Sequence, residues 1–159
     1  MSQLLAGLYA ITGPYHSGVD QLAGMVEAAI DGGARVVQYR DKSDDSDRRI
    51  AEAARLRSLC QARGVPLIVN DDIALACRVG ADGVHLGGDD GTIADARREL
   101  PAGAIIGRSC YNRFDLAVEA AEAGADYVAF GSFFPSPTKP GAVRASTDLP
   151  SLVTVVDNF

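Results

Sequence analysis

The chain has 159 residues, of which 47% are hydrophobic, and its formal net charge is −6 at pH 7. This length suits one domain, the negative charge argues against general nucleic-acid binding, and no apolar run reaches the about 18 residues that a membrane span needs. Three widely spaced cysteines and the lack of a signal-peptide pattern at the start predict a cytoplasmic protein.

Short apolar runs alternate with longer helical segments along the chain. The runs are almost continuously apolar, as expected of strands that are buried on both faces. We predict strands over residues 8–12, 36–40, 67–70, 83–87, 104–109 and 127–132. The segments between them have apolar residues at three- and four-residue spacing, and most end in glycine, a helix C-cap signal. We predict helices over residues 19–33, 45–64, 72–80, 92–101 and 113–124.

A weak internal repeat supports this alternation. The segments GGARVVQYR, GADGVHLG and GADYVAFG each place a glycine before a strand, and Gly33, Gly80 and Gly124 are 47 and 44 residues apart. Each interval holds two strand–helix units, which predicts a parallel α/β fold and favours a TIM (β/α) barrel. A doubly wound open sheet is the alternative, but Gly13, after the first strand, lacks the partners of a G-x-G-x-x-G turn.

Polar residues follow five of the predicted strands, at the end where active sites of parallel α/β folds lie. In chain order they are Gln38, Arg40 and Lys42; Asn70, Asp71 and Asp72; His85, Asp89 and Asp90; Arg108, Ser109 and Cys110; and Ser136, Thr138 and Lys139.

The charges at this predicted rim divide into two sets. Arg40, Lys42 and Lys139 suit a phosphate or diphosphate, whereas Asp71 and Asp90 are hard oxygen ligands of the kind that Mg²⁺ prefers. Magnesium commonly takes one or two protein carboxylates and is bridged by substrate phosphates. The combination therefore predicts a magnesium–diphosphate site.

Simpler explanations exist for individual residues of this set. One of Asp71 and Asp72 could serve only as a helix N-cap, and Asp90 could belong only to a turn at Asp89–Asp90–Gly91. His85 lies inside an apolar strand, as a hydrogen-bonded core histidine would. Cys110 has no histidine near it in sequence, which favours a small buried residue over a nucleophile.

The segments VVQYRDK, LIVNDD, GADGVHLGGDD, IIGRSC and GADYVAFGSFFPSPTKPG resemble, in this order, the motifs of the thiamine phosphate synthase family. The resemblance covers about residues 8 to 145. It implies a (β/α)-barrel transferase of thiamine biosynthesis. This enzyme would join 4-amino-2-methyl-5-(diphosphooxymethyl)pyrimidine to a thiazole phosphate, giving thiamine phosphate and releasing diphosphate.

By matching position, the resemblance also implies roles for individual residues. Those that would contact the pyrimidine diphosphate are Gln38, Tyr39, Arg40, Asp41, Lys42, Asn70, Ser109 and Lys139. Those that would face the thiazole phosphate are Ser136, Pro137 and Thr138. The Mg²⁺ ligands would be Asp71 and Asp90, and the catalytic residues Arg40, Lys42, Ser109 and Lys139.

The chain departs from the family pattern at Gly13, Gly88 and Ser136, and it ends after RASTDLPSLVTVVDNF without a predicted seventh or eighth βα unit. We therefore expect residues 1–159 to form a single, incomplete barrel domain with about six of the eight units. The sheet edges of such a domain favour self-association into a homo-oligomer.

Two alternatives stay open at this point. The chain could be a truncated, non-catalytic relative that only binds phosphorylated pyrimidine, or a thiazole tautomerase-like isomerase. The pairing of Asp71 with Asp90 argues against the isomerase, which has no diphosphate to neutralise.

Overall fold

The computed structural model describes residues 6–14 and 16–131, which form six strands alternating with five helices. The strands are β1 (Leu8–Ile11), β2 (Ala34–Tyr39), β3 (Leu67–Asn70), β4 (Gly83–Leu86), β5 (Ile105–Tyr111) and β6 (Tyr127–Phe130). The helices are α1 (Val19–Asp31), α2 (Ser46–Arg63), α3 (Ile73–Val79), α4 (Ile93–Glu99) and α5 (Phe114–Glu122). The sequence predicts each of these elements, so the predicted alternation is confirmed.

All six strands are parallel, and each pairs with the next strand along the chain in the order β1–β2–β3–β4–β5–β6. A doubly wound sheet would reverse its strand order part-way. The sheet is also strongly curled, because the hydroxyls of Tyr9 on β1 and Tyr127 on β6 lie 2.7 Å apart. In a flat sheet these strands would lie about 24 Å apart. The described residues therefore form a TIM-like (β/α) half-barrel, as the sequence predicts.

The curled sheet separates two apolar layers. Tyr9, Val36 and Ile68 are buried on its inner face, whereas a larger cluster that includes Val37 and Leu67 packs between the sheet and the helices. Successive residues of a strand point to opposite faces, so neighbours such as Val36 and Val37 enter different layers. This alternation decides which residues at the strand ends face the interior of the barrel.

Side-chain caps define where three of the helices begin. Asp45, Asp72 and Thr92 each accept a hydrogen bond from the backbone N–H three residues later, at the starts of α2, α3 and α4. Gly64 and Gly80 cap the C-terminal ends of α2 and α3, both in the left-handed conformation that favours glycine. Among the described residues, no helix has the length and apolar character to cross a membrane.

Two arginine–aspartate clamps recur at the amino-terminal ends of the strands. Asp82 Oδ2 accepts from the backbone N–H of Leu67 at 2.8 Å and from Arg57 Nη1 at 2.9 Å. In the same way, Asp126 accepts from the N–H of Ile106 at 2.8 Å and from the α4 residue Arg97 at 2.7 Å. These aspartates belong to the two GAD segments of the sequence repeat, and each ties a helix, α2 or α4, to the strand that follows it.

Candidate active site

The end of β2 divides its predicted site residues between two faces. Gln38 points into the barrel, where its Nε2 donates to Tyr9 Oη at 3.0 Å. Tyr39 points toward α2, and its hydroxyl donates to the buried carboxylate of Glu52 at 2.8 Å. Of these two side chains, only that of Gln38 therefore lies on the inner face of the sheet.

Arg40 and Asp41 form the start of the loop between β2 and α2. The backbone N–H of Arg40 donates to Thr12 Oγ1 at 2.9 Å, which ties the strand end to β1. The Asp41 carboxylate accepts from the N–H of Ser43 at 2.8 Å and from the Arg48 guanidinium. Burial alone would raise the pKa of Asp41, but these hydrogen bonds lower it overall. Asp41 therefore stabilises the loop after β2 through its bonds to Ser43 and Arg48.

Lys42 and Asp71 form an ion pair that joins the loops after β2 and β3. Asn70 Nδ2 donates to the same carboxylate oxygen at 2.6 Å, and the N–H of Gly87 donates to the other oxygen at 3.3 Å. Burial alone would raise the pKa of Asp71, but the hydrogen bond from Lys42 and its positive charge contribute to lowering it overall. Three predicted site residues, Lys42, Asn70 and Asp71, therefore come together at the ionised carboxylate of Asp71.

Asp71 and the next residue, Asp72, have different roles. Asp72 caps α3 through the N–H of Leu75 and accepts from Arg49 Nη2, both at 2.8 Å. Asp71 has a φ of 64°, a left-handed conformation that is uncommon for a residue other than glycine. Its N–H donates to the carbonyl of His85 at 2.8 Å, which holds this conformation. The N-cap explanation therefore applies to Asp72, and Asp71 is left to face the rim.

The carboxylates of Asp90 and Asp71 lie close together, next to Gly87. A Cβ atom at Gly87 would collide with Asp90 Oδ2, so this glycine leaves room for the pair. Burial, and then the contact with Asp71, raises the pKa of Asp90 above its usual value. Two carboxylates in contact repel each other when both are ionised, and a divalent cation relieves that repulsion.

The loop that carries Asp90 is held by two side chains of β5. The Arg108 guanidinium donates to the carbonyls of Gly88 and Gly91, at 3.1 and 3.0 Å. The N–H of Gly88 donates to the Tyr111 hydroxyl at 3.1 Å. The sequence places Arg108 at the rim without giving it this role, and it gives no signal for Tyr111.

A chain of polar side chains crosses the inside of the half-barrel and reaches the rim at Ser109. His85 Nε2 lies 2.8 Å from Ser109 Oγ, and His85 Nδ1 lies 3.0 Å from Tyr127 Oη. Tyr127 meets Tyr9 as described above, and Tyr9 accepts from Gln38. His85 is buried and both of its ring nitrogens form hydrogen bonds, so it is a hydrogen-bonded core histidine, as one interpretation of the sequence predicts. It also contacts the predicted site residue Ser109.

A glycine inside β5 makes room for this chain. A Cβ atom at Gly107 would collide with the ring of Tyr127. A glycine inside a strand often marks such a close approach, and Gly107 is therefore the signal that could have pointed to the tyrosine.

Cys110, also on β5, is fully buried, and burial raises the pKa of its thiol. This agrees with the interpretation of Cys110 as a buried residue and not a nucleophile.

The remaining predicted site residues, Ser136, Pro137, Thr138 and Lys139, lie outside the described residues. Within residues 6–14 and 16–131, no group of three or more His, Cys, Asp and Glu side chains could hold a metal ion. Asp71 and Asp90 still fit Mg²⁺, which needs only one or two protein carboxylates when water and phosphate oxygens complete its shell.

Comparison with known proteins shows, independently of the site geometry, which family the chain resembles. A family model described as thiamine monophosphate synthase matches residues 8–156. The chain is 56% identical to the thiamine-phosphate synthase of Thioalkalivibrio sulfidiphilus over 145 residues, which are 91% of this chain and 69% of that protein. It is also 56% identical to the thiamine-phosphate synthase of Chromobacterium violaceum over 151 residues, which are 94% of this chain and 72% of that protein.

Solved structures agree with this result. The thiamine phosphate pyrophosphorylase of Pyrococcus furiosus superposes with a TM-score of 0.70 at 34% identity, over 80% of this chain and 61% of that chain. The 3-dehydroquinate dehydratase of Geobacillus kaustophilus, at 19% identity and a TM-score of 0.59, shares the fold alone and covers 82% of this chain and 63% of its own. The chain thus spans about two thirds of the length of its relatives. With the family model matched over most of its length, the chain belongs to the thiamine monophosphate synthase family.

Proposed function

We propose that the chain acts as a thiamine-phosphate synthase, with a pyrimidine diphosphate and a thiazole phosphate as its substrates. The observation that supports this most directly is the group formed by Lys42, Asp71 and Asp90 at the carboxyl ends of the strands. It combines a cation for diphosphate with paired carboxylates for a divalent metal ion. Family membership supplies the chemical class of the two substrates.

The ion that fits the paired carboxylates is Mg²⁺, with Asp71 and Asp90 as its protein ligands. The raised pKa of Asp90 supports this, because a cation between the two carboxylates would favour the ionised form of both. When bound, Mg²⁺ would stabilise the negative charge on the departing diphosphate. Asn70 would hold the Asp71 carboxylate through the 2.6 Å hydrogen bond that it donates.

The reaction breaks the bond between the pyrimidine methylene carbon and a diphosphate oxygen, and both electrons leave with the diphosphate. The ring amino group stabilises the carbon cation, and the thiazole nitrogen then forms the new carbon–nitrogen bond. The role of Arg40, Lys42 and Lys139 is to hold the diphosphate and stabilise its developing charge. No protein nucleophile is needed, in keeping with the buried thiol of Cys110.

The other substrate contacts follow the family resemblance. Gln38 and Ser109 face the inside of the half-barrel and are proposed to contact the pyrimidine. The side chains of Tyr39 and Asp41 are bonded to Glu52 and Ser43. Tyr39 would therefore contact the substrate through its backbone, and Asp41 would act by holding the loop. Ser136, Pro137 and Thr138 are proposed to face the thiazole phosphate. These two sets of contacts would bring the reacting carbon and nitrogen together.

The comparisons favour the synthase over the two alternatives, since both bacterial relatives named above are synthases. For the protein as a whole we propose one barrel domain, a cytoplasmic location and self-association through a sheet edge. Within the described part of the chain Cys60, Cys77 and Cys110 are free thiols, which suits a reducing compartment.

Calorimetric titration of the protein with the pyrimidine diphosphate tests the site directly. We expect binding that depends on Mg²⁺ and is lost when Asp90→Asn removes one ligand. The matched control is Asp89→Asn, which changes the same charge at the exposed neighbouring residue and should leave binding unchanged. Equal affinity of the two variants, or tight binding in the presence of a chelator, would refute the metal site.

In the same titration, Lys42→Ala should weaken binding of the diphosphate substrate by about 1.5–3 kcal/mol, the scale of a charge-assisted hydrogen bond. The second measurement is turnover, followed as thiamine phosphate formed from both substrates. Metal-dependent binding without any product would instead support the non-catalytic alternative.

A further inference from the structure

The polar chain inside the half-barrel has a direction, which the proton count of its members determines. Every hydroxyl in it has one proton, and the Gln38 amide nitrogen can only donate. Tyr9 therefore accepts from Gln38, and its own proton has the Tyr127 oxygen, 2.7 Å away, as its partner. The proton of Tyr127 is then available to His85 Nδ1, at 3.0 Å.

The imidazole ring passes this direction on to the rim. His85 is buried and both of its ring nitrogens face hydroxyl groups, an environment that favours the neutral ring with one N–H. Because Nδ1 accepts from Tyr127, the ring proton is on Nε2, which donates to Ser109 Oγ at 2.8 Å. The opposite direction would leave the proton of the buried Tyr9 without an acceptor in this chain of groups, which is costly.

The result at Ser109 is a hydroxyl whose oxygen already accepts a hydrogen bond. Its own proton is free to point out of the network, and the ligand lies on that side if the proposed function is right. We propose that His85 and Tyr127 are positioning residues that orient the Ser109 hydroxyl as a hydrogen-bond donor toward the pyrimidine diphosphate. The identity of the ligand in this proposal rests on the proposed function. The direction of the network rests only on the hydrogen bonds themselves.

The direction is tested without any ligand by ¹⁵N NMR of the histidine side chains at pH 7. The chain has two histidines, His16 and His85, and the signals that disappear in His85→Gln assign the second. We expect a protonated, pyrrole-type Nε2 and a bare, pyridine-type Nδ1 for His85. The reverse tautomer would mean that Ser109 donates to the ring, and it would overturn the inference.

The positioning role is tested by a double-mutant cycle on the affinity for the pyrimidine diphosphate. Ser109→Ala and His85→Asn should each weaken binding by about tenfold, since either change removes one hydrogen bond at the site. In the double variant the two losses should not add, because His85 acts only through Ser109. Additive losses would assign His85 an independent, structural role.

Conservative variants sharpen this test. The amide nitrogen of Gln can take the place of His Nε2, whereas that of Asn takes the place of Nδ1 and falls short of Ser109. His85→Gln should therefore retain more affinity than His85→Asn, and equal affinities would contradict the proposal. If Ser109→Ala binds normally while Asp90→Asn does not, the positioning role fails and the proposed metal–diphosphate site stands.

Discussion

The hydroxyl of Tyr39 donates a 2.8 Å hydrogen bond to Glu52 Oε2, across the contact between β2 and α2. Glu52 is 1% exposed, and among the described residues its other oxygen has no hydrogen-bond partner, although His16 Nδ1 and Arg48 Nε each lie 3.8 Å from it. A buried carboxylate depends on each donor that it has. Tyr39 therefore supports the helix layer through its side chain.

Tyr39→Phe should destabilise the fold and leave the site unchanged. The change removes the hydroxyl that donates to Glu52, and an unsatisfied buried acceptor costs about 1–3 kcal/mol. Urea unfolding measures the loss, and titration with the pyrimidine diphosphate gives the affinity. Normal stability combined with weak binding would contradict this interpretation and give the hydroxyl a place in the site.

Arg108→Lys should weaken Mg²⁺ binding although the charge is kept. The guanidinium donates to two carbonyls of the loop that carries Asp90, and a lysine ammonium does not have that forked geometry. Loss of support around a metal ligand typically costs about 10–100-fold in metal affinity. Calorimetry with Mg²⁺ and the diphosphate substrate measures this. The control is Arg113→Lys, which alters an exposed ion pair with Asp115 and should have little effect.

The burial of His85 should make the protein less stable as the pH falls. Its pKa in the folded state is about 4, against a usual value of 6.5, so the unfolded chain binds the proton more readily. The contribution is fully present above pH 6.5 and is lost as the pH falls toward 4, by at most about 3 kcal/mol. Urea unfolding at pH 7 and pH 4.5 checks this. His85→Gln should show a smaller difference between the two pH values, and an unchanged difference would assign it to other groups.

Asp82→Ala should lower stability without changing ligand affinity. The change leaves the N–H of Leu67 without its acceptor and frees Arg57, at the end of the strands that is opposite to the site. We expect a loss of about 1–3 kcal/mol in the free energy of unfolding. Asp115→Ala, which breaks a surface pair, is the control and should cost less than about 1 kcal/mol. A loss of affinity in Asp82→Ala with unchanged stability would contradict the separation of the two ends.

The elements could be predicted because their signals are local. Apolar runs between glycine-capped helical segments predict all six strands and five helices of the described residues, and the repeat marked by Gly33, Gly80 and Gly124 predicts their parallel arrangement. The predictions for Asp71 and Asp90 rest on their positions after β3 and β4, and the structure brings these two carboxylates close together beside Gly87.

The sequence could not reveal contacts that depend on curvature. Tyr9 and Tyr127 are 118 residues apart, and they meet only because six strands curl into half a barrel. For Tyr39 a usable signal did exist. Strand alternation places Gln38 and Arg40 on one face and Tyr39 on the other, so the side chain of Tyr39 could have been assigned to the helix layer.

Gly107 and Tyr127 share one volume, since the tyrosine ring fills the space where a side chain at position 107 would lie. Position 107 can therefore gain a side chain only together with a change at position 127. A larger residue at 107 requires a smaller one at 127, and that exchange removes the hydroxyl that reaches His85. Among descendants of this protein, the two positions should vary together, and the glycine should disappear only where the hydroxyl network has been given up.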